Sequence, residues 1–192
     1  MAGVSPWVRR FAPLIPAGEV LDLACGLGRH ARHVGALGHP VLALDRDGAA
    51  LAELAAEGFA TLQLDLEDGV SPWPFAPGRF AGIIVTNYLH RPLFGQLARS
   101  LAPDGLLIYE TFAIGNEAFG KPSNPDFLLQ EGELLAIAAQ LGLRVLAFED
   151  GFTAAPKAGM VQRLCAAGQG FRRSGALLDP HEGVAKRDSS QE

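Results

Sequence analysis

Three apolar runs in this chain each end in a carboxylate, and closely spaced glycines follow the first, a set of residue types suited to holding a polar cofactor. Val20, Leu21 and Leu23 have the character of a short buried strand with Asp22 inside its end. Gly26 and Gly28 then lack the Cβ that resists a sharp turn or a close ligand approach. Arg29 to Leu37 reads as a helix whose first backbone N–H groups point into the crevice beyond the strand's carboxyl end, where α/β sheets bind ligands. Val41 to Leu44 makes a second strand ending at Asp45, which lies 17 residues past Gly28. A carboxylate at that tip can accept hydrogen bonds from both hydroxyls of a ribose. Ala60 to Leu64 is a third strand ending at Asp65.

Gly26-Leu-Gly28-Arg-His-Ala31 alone fits the dinucleotide pattern G-x-G-x-x-G/A, so the glycines leave the ligand open. Asp22 discriminates: a carboxylate four positions before Gly26 sits badly beside a pyrophosphate and well beside a ligand with an ammonium group. At this point the sequence resembles class I S-adenosylmethionine-dependent methyltransferases, whose first motif runs acid-x-Gly-x-Gly-x-Gly. Here it reads Asp22-Leu-Ala24-Cys-Gly26-Leu-Gly28, with Ala24 in place of the family's first glycine. The resemblance implies that S-adenosyl-L-methionine is the cofactor. Asp22, Ala24, Gly26 and Gly28 would then border its methionine part, Asp45 its ribose, and Asp65 and the backbone of Leu66 its adenine, with Arg46 and Asn87 completing the site. An NAD(P)-dependent oxidoreductase and a non-catalytic binder of the same cofactor are the alternative readings.

No Ser-His-Asp, Cys-His or paired-His spacing appears, so neither a covalent nucleophile nor a metal site is expected. Direct in-line displacement at a sulfonium methyl needs neither. Candidates for catalysis lie after the fourth and fifth strands: His90, whose residue type titrates near neutrality, then Tyr88 and Glu110. Each has a plainer role available. His90 can mark a helix entry beside Pro92, Tyr88 can cover the methionine end of the cofactor, and Glu110 can pair with Lys121 or Arg91. His30 and His33, on the first helix of the motif, read as solvated or locally bonded. The long segment Phe112 to Gln130 reads as a substrate cover, which with Asn87 to Arg91 and Glu110 would hold an unidentified, small-molecule acceptor. Trp73 and Phe75 either stack near an adenine or pack on the surface of their proline-rich loop.

The elements that must position these groups alternate strand and helix, which reads as an α/β, doubly wound, Rossmann-like fold with helices on both faces. The resemblance adds the seven-stranded order 3-2-1-4-5-7-6 with the last strand antiparallel. Phe80 to Thr86 is nearly all apolar and hence a central strand. A helix over Pro92 to Leu101, closed by Pro103-Asp104-Gly105, leads to a strand over Leu106 to Thr111. Leu143 to Glu149 and Met160 to Ala166, joined through Asp150-Gly151 without a helix, form an antiparallel hairpin. At 192 residues the chain is expected to hold a single domain over 1–167, beginning with a short helix within 1–16 that Ser5 caps. A polar tail over 168–192 is expected to be disordered. No stretch approaches a membrane span or a secretory signal core, so a cytoplasmic protein is expected. A net charge of −5 argues against nucleic-acid partners. Cys25 and Cys165 read as reduced, packed thiols, and the oligomeric state stays open.

Overall fold

A computed structural model describes residues 3–155 and 157–176. Its centre is a seven-stranded sheet of β1 (Val20–Leu23), β2 (Val41–Asp45), β3 (Ala60–Gln63), β4 (Phe80–Thr86), β5 (Leu101–Phe112), β6 (Arg144–Thr153) and β7 (Gly159–Ala167). The strand order is β3-β2-β1-β4-β5-β7-β6. The first five run parallel, and β7 runs antiparallel to both β5 and β6. The fold class and order expected from the sequence are both found.

Alternation along each strand divides the core between the two faces. Leu21, Leu23, Leu42, Leu44, Ile83, Val85, Leu107 and Tyr109 bury against α4 (Phe94–Ser100) and α5 (Glu133–Gln140). The intervening Val20, Val41, Ala43, Ile84, Leu106 and Ile108 bury against α1 (Pro6–Phe11), α2 (Arg29–Ala36) and α3 (Gly48–Ala56). All seven residues of β4 are buried, as befits a central strand covered on both sides. Because β1, β2, β4 and β5 are parallel, their carboxyl ends, and the loops that follow, gather at one edge of the sheet.

Several boundaries differ from the sequence reading for local reasons. Pro103-Asp104-Gly105 does not separate a helix from a strand; Leu101 already pairs with Phe80, Leu106 pairs with Gly82, and the residues between bulge out of β5. Asp150 and Gly151 lie within β6 rather than in its turn, pairing with Gln162 and Val161. Asp150 instead accepts the Gly132 N–H at 2.9 Å, ahead of α5. Trp73 and Phe75 pack inward: Phe75 meets Trp73 and Phe80 edge to face, and Trp73 Nε1 donates to Ser100 Oγ at 2.8 Å. Both rings thus pack against the core beside Phe80 rather than on the surface of their loop.

Of the expected tail, residues 168–176 pack on the bulge, with the Gly168 N–H on Gly105 O at 3.0 Å, the Gly170 N–H on Pro103 O at 2.7 Å, and Phe171 buried. The rest of the tail lies outside the described residues. Among the described residues no helix is long and apolar enough to cross a membrane.

Ser5 caps α1 as expected, its Oγ accepting from the Trp7 and Val8 N–H groups, and the same hydroxyl donates to Glu110 Oε2 at 3.1 Å. One side chain thus both starts the helix and fastens it to β5. Ser5→Ala should cost about 1–3 kcal/mol, read as a lower midpoint at unchanged slope in urea denaturation; a loss below about 0.5 kcal/mol would show that α1 is held by its apolar face alone.

Candidate functional site

The turn from β1 into α2 uses left-handed backbone at every second residue, with φ of 53° at Ala24, 53° at Gly26 and 71° at Gly28. The two glycines do different work. A Cβ on Gly26 would meet nothing within 4 Å and would stand over open space, whereas one on Gly28 would run into the buried side chain of Leu54 on α3. Ala24 adopts the same conformation with a Cβ, at a cost of roughly 1–2 kcal/mol. Asp45 holds the turn in place: its Oδ2 accepts the Gly26 N–H at 2.7 Å and its Oδ1 the Asp47 N–H at 2.9 Å. Asp47, two residues on, caps α3 through the Ala49 and Ala50 N–H groups.

Asp22 is 1% exposed, on the face of β1 turned to α2, where its Oδ2 accepts the Ala31 N–H at 2.9 Å. Burial pushes its carboxyl up to about 7, against the lowering effects of that N–H and of Arg29.

Three cavities meet above the carboxyl ends of the strands. The smaller of two that flank the glycine turn, about 230 Å³, lies over β2 and β3 between Ala24, Leu44, Leu64 and Leu66, with Asp45, Arg46, Asp65 and Glu67 at its rim. The larger, about 690 Å³, runs over the turn from Ala24, Cys25 and Gly26 to Thr86 and Asn87, and is roofed on one side by Gly3 and Val4. A third of about 220 Å³ opens between the end of β4 and the Phe112 to Gln130 segment. Tyr88 lines all three, Ala24 joins the first two, and Asn87 joins the second to the third.

Of the residues singled out in the sequence, Ala24, Gly26, Asp45, Arg46, Asp65, Leu66, Asn87 and Tyr88 line these cavities. Asp22 and Gly28 lie beneath them. Asn87, like Ala24, is left-handed (φ 55°), which turns the chain sharply at the end of β4. Burial, and next the Glu67 carboxylate, push the Tyr88 phenol well above its usual range, so Tyr88 stays a neutral hydroxyl. His90 lines none of the three; it is half-buried and extended, at the entry to the turn Arg91–Leu93.

Two expected pairings are corrected. Glu110 pairs with neither Lys121 nor Arg91 but with Arg163 Nε, at 2.7 Å. The alternation of β5 turns it toward α1 and away from the cavities, while its neighbour Thr111 faces the third. Arg91 instead binds Glu133 at 2.7 Å and the carbonyls of Asp126 and Leu128, pinning the base of the cover segment. That segment is further tied by the bridge between Ala113 and Leu129.

His30 is not solvated, and its bonds reach beyond its neighbour Arg29 to α1 and β4. It is 1% exposed, and burial, then the charge of Arg29, push its pKa down to about 3, so the ring is neutral. Nε2 lies 3.2 Å from both the Ser5 N–H and Arg29 Nε and is the acceptor; Nδ1 therefore carries the proton and donates to Thr86 Oγ1 at 3.3 Å. No periodicity signals such a node, because its partners lie on α1 and β4.

Glu67, Thr111, Phe112, Pro122 and Phe127, which line the third cavity, escaped the sequence reading as individual residues, although their segments did not. Among the described residues no group of three His, Cys, Asp or Glu side chains could hold a metal ion.

Comparison with known proteins bears on this arrangement. Residues 20–105 match the model of a methyltransferase domain. No curated protein matches the chain in sequence. The structure is similar to TehB from Haemophilus influenzae, at a TM-score of 0.69 and 17% identity, covering 86% of this chain and 62% of that one. This chain therefore spans less than two thirds of TehB. It is also similar to an S-adenosylmethionine-dependent methyltransferase from Mesorhizobium loti, at 0.66 and 18%, covering 84% of this chain and 96% of that one. A third is geranyl diphosphate C-methyltransferase from Streptomyces coelicolor, solved with Mg2+, geranyl diphosphate and S-adenosyl-L-homocysteine, at 0.61 and 16%, covering 84% and 78%. At these identities the likeness is one of fold.

The buried Asp22 carries a pH signature. Its carboxyl titrates near 3.8 when unfolded and about 7 when folded, so the folded protein binds this proton more tightly. The resulting destabilisation is absent below about pH 4, grows between pH 4 and 7, and is complete above 7. Asp22→Asn keeps an acceptor for Ala31 and removes the charge. Its stability advantage over the parent protein should rise across that window by up to about 4 kcal/mol in urea denaturation. An advantage independent of pH would place the Asp22 charge in water rather than in the core.

Proposed function

We propose that this chain, which carries a methyltransferase domain in the class I methyltransferase fold, transfers a methyl group from S-adenosyl-L-methionine to a small-molecule acceptor. The observation that carries the reading is the meeting of the three cavities at Tyr88, two of them bounded by the glycine turn and the strand-end acids and the third by the cover segment.

The residues present fit the cofactor. Gly26 leaves open space above the turn, and apolar walls with acidic rims suit an adenosine over β2 and β3. Asp45 has used each carboxylate oxygen once, leaving acceptor capacity for ribose hydroxyls. Asp65 and the Leu66 backbone stand where an adenine edge would lie, and Arg46 closes the rim. The buried Asp22 sits below the path of a cationic ligand, whose charge would draw its pKa back down. The cofactor supplies a methyl group already activated on a sulfonium.

What remains for the protein is alignment and exclusion of water, worth up to about 7–11 kcal/mol when two reactants are well oriented. Asn87 and Tyr88 would form the passage between donor and acceptor cavities. Tyr88, held neutral, serves there as a wall and a hydrogen-bond donor. Glu110 is assigned to positioning, since its carboxylate is engaged by Arg163 and Ser5, and His90 to the entry of the Arg91–Leu93 turn.

S-adenosyl-L-homocysteine at 100 times its dissociation constant should stabilise the protein by about 2.7 kcal/mol in thermal unfolding, with no comparable effect from NADH. The reverse preference would make the protein an oxidoreductase. Asp45→Ala should weaken S-adenosyl-L-homocysteine binding by about 1.5–3 kcal/mol, part of it through the loosened Gly26 anchor. Unchanged affinity in calorimetry would remove Asp45 from the ribose site.

A further inference from the structure

The third cavity holds a chemical preference of its own. Its lining combines three aromatic rings, Tyr88, Phe112 and Phe127, with the aliphatic Leu89 and Pro122, the hydroxyl of Thr111, and a single charged side chain, the carboxylate of Glu67. Among the described residues no lysine or arginine lines it. Of the basic groups nearby, Arg91 binds Glu133 and two carbonyls, Lys157 binds the carbonyl of Lys121, and Arg46 lines the adjoining first cavity beside Glu67. An anionic acceptor would meet the Glu67 carboxylate, whose partner in the wall is the neutral Tyr88 hydroxyl, and no cationic side chain in the lining. An ammonium would meet the opposite, aromatic faces and a negative charge, the combination that recognises small organic cations. The Phe112 ring already receives one such group, since Lys157 Nζ lies 5.7 Å from its centroid.

At about 220 Å³ the cavity falls below the roughly 300–1,000 Å³ of drug-sized sites, so the occupant is small.

We propose, building on the methyltransferase reading, that the acceptor is a small amine, bound as its ammonium form between Glu67 and the rings of Tyr88, Phe112 and Phe127. The ammonium gives one proton to water by way of the Glu67 carboxylate, which exposes the nitrogen lone pair toward the passage at Asn87 and Tyr88. The nitrogen then forms a C–N bond to the methyl carbon as its C–S bond breaks, with that electron pair returning to sulfur. The sulfonium's positive charge ends on the methylated amine, which leaves protonated.

The test uses the full chain and does not depend on turnover. Calorimetry with S-adenosyl-L-homocysteine comes first and judges the methyltransferase reading by itself; no binding would overturn both proposals together. The protein saturated with S-adenosyl-L-homocysteine is then titrated with benzyltrimethylammonium, benzyl alcohol and benzoate, probes of similar size and different charge. The ammonium should bind at least tenfold more tightly than benzoate, and Glu67→Gln and Phe127→Leu should each weaken it at least fivefold. Phe127 lines this cavity and neither of the other two, so Phe127→Leu should leave S-adenosyl-L-homocysteine affinity within about threefold and decides the matter if Glu67→Gln disturbs the cofactor. Given S-adenosyl-L-methionine and benzylamine, the protein should form N-methylbenzylamine, detected by mass spectrometry. Equal or tighter binding of benzoate or benzyl alcohol, ammonium binding unaltered in Phe127→Leu, or no methylated amine would overturn the amine assignment while leaving the methyltransferase reading intact.

Discussion

The bond between the Asp45 carboxylate and the Gly26 N–H carries the geometry of the whole upper edge of the sheet. Three residues of the β1–α2 turn stand in left-handed backbone, one of them with a side chain, and such a turn persists only when its surroundings over-determine it. Asp45 fixes its crest from the neighbouring strand, Asp22 fixes its exit through the Ala31 N–H, and Leu54 fills the space that Gly28 leaves. Helix α2 therefore starts where it does, and the space over Gly26 stays open. The same carboxylate that would meet a ribose is thus part of the frame, which ties binding at β2 to the shape of the loop at β1.

A second constraint is the alternation of β5. Tyr109 and Thr111 face α4, α5 and the cover segment, and Glu110 between them faces α1. On that second face a buried polar chain runs from Arg163 through Glu110 and Ser5 to His30 and Thr86. It joins α1, α2, β4, β5 and β7 through the bonds at Glu110, Ser5 and His30, and buried polar networks of this kind help specify one arrangement. It also holds Gly3 and Val4 against the largest cavity, so the beginning of the described chain forms part of the site's wall.

Much of this was legible in the residues themselves. Apolar runs ending in acids, glycines after the first of them, Ser5-Pro6 at a helix start and a helix-free pair of late strands are local signals, and each marks the element it should. What escaped was decided by distance in space. Glu110 reads as a catalytic candidate because its position near a strand end is visible, whereas its partner Arg163 lies on β7, 53 residues away in sequence. His30 reads as a surface residue on an amphipathic helix, whereas α1 folds over it and removes it from water. Pro103-Asp104-Gly105 carries a turn signature that the sheet absorbs as a bulge, since Leu101 already pairs with β4. For the third cavity, the segments were recognisable, but no pattern in the sequence announces that Glu67 from one loop and Phe127 from another share a wall.

The cavities over β1, β2 and β3 draw their lining from residues 3–88, and the third draws most of its lining from residues 89–127, with Glu67, Asn87 and Tyr88 as the shared boundary. The cover segment is pinned at its base by Arg91 and the Ala113–Leu129 bridge, and its outer turn from Glu117 to Phe127, tied by Lys157 on the Lys121 carbonyl and by Phe119 against Phe152, contributes little to the core. Substitutions in that outer turn therefore change what the third cavity admits without touching the Asp45–Gly26 frame. The two halves are thus mechanically separable, since the outer turn can be rebuilt while the glycine turn and its Asp45 anchor keep their shape.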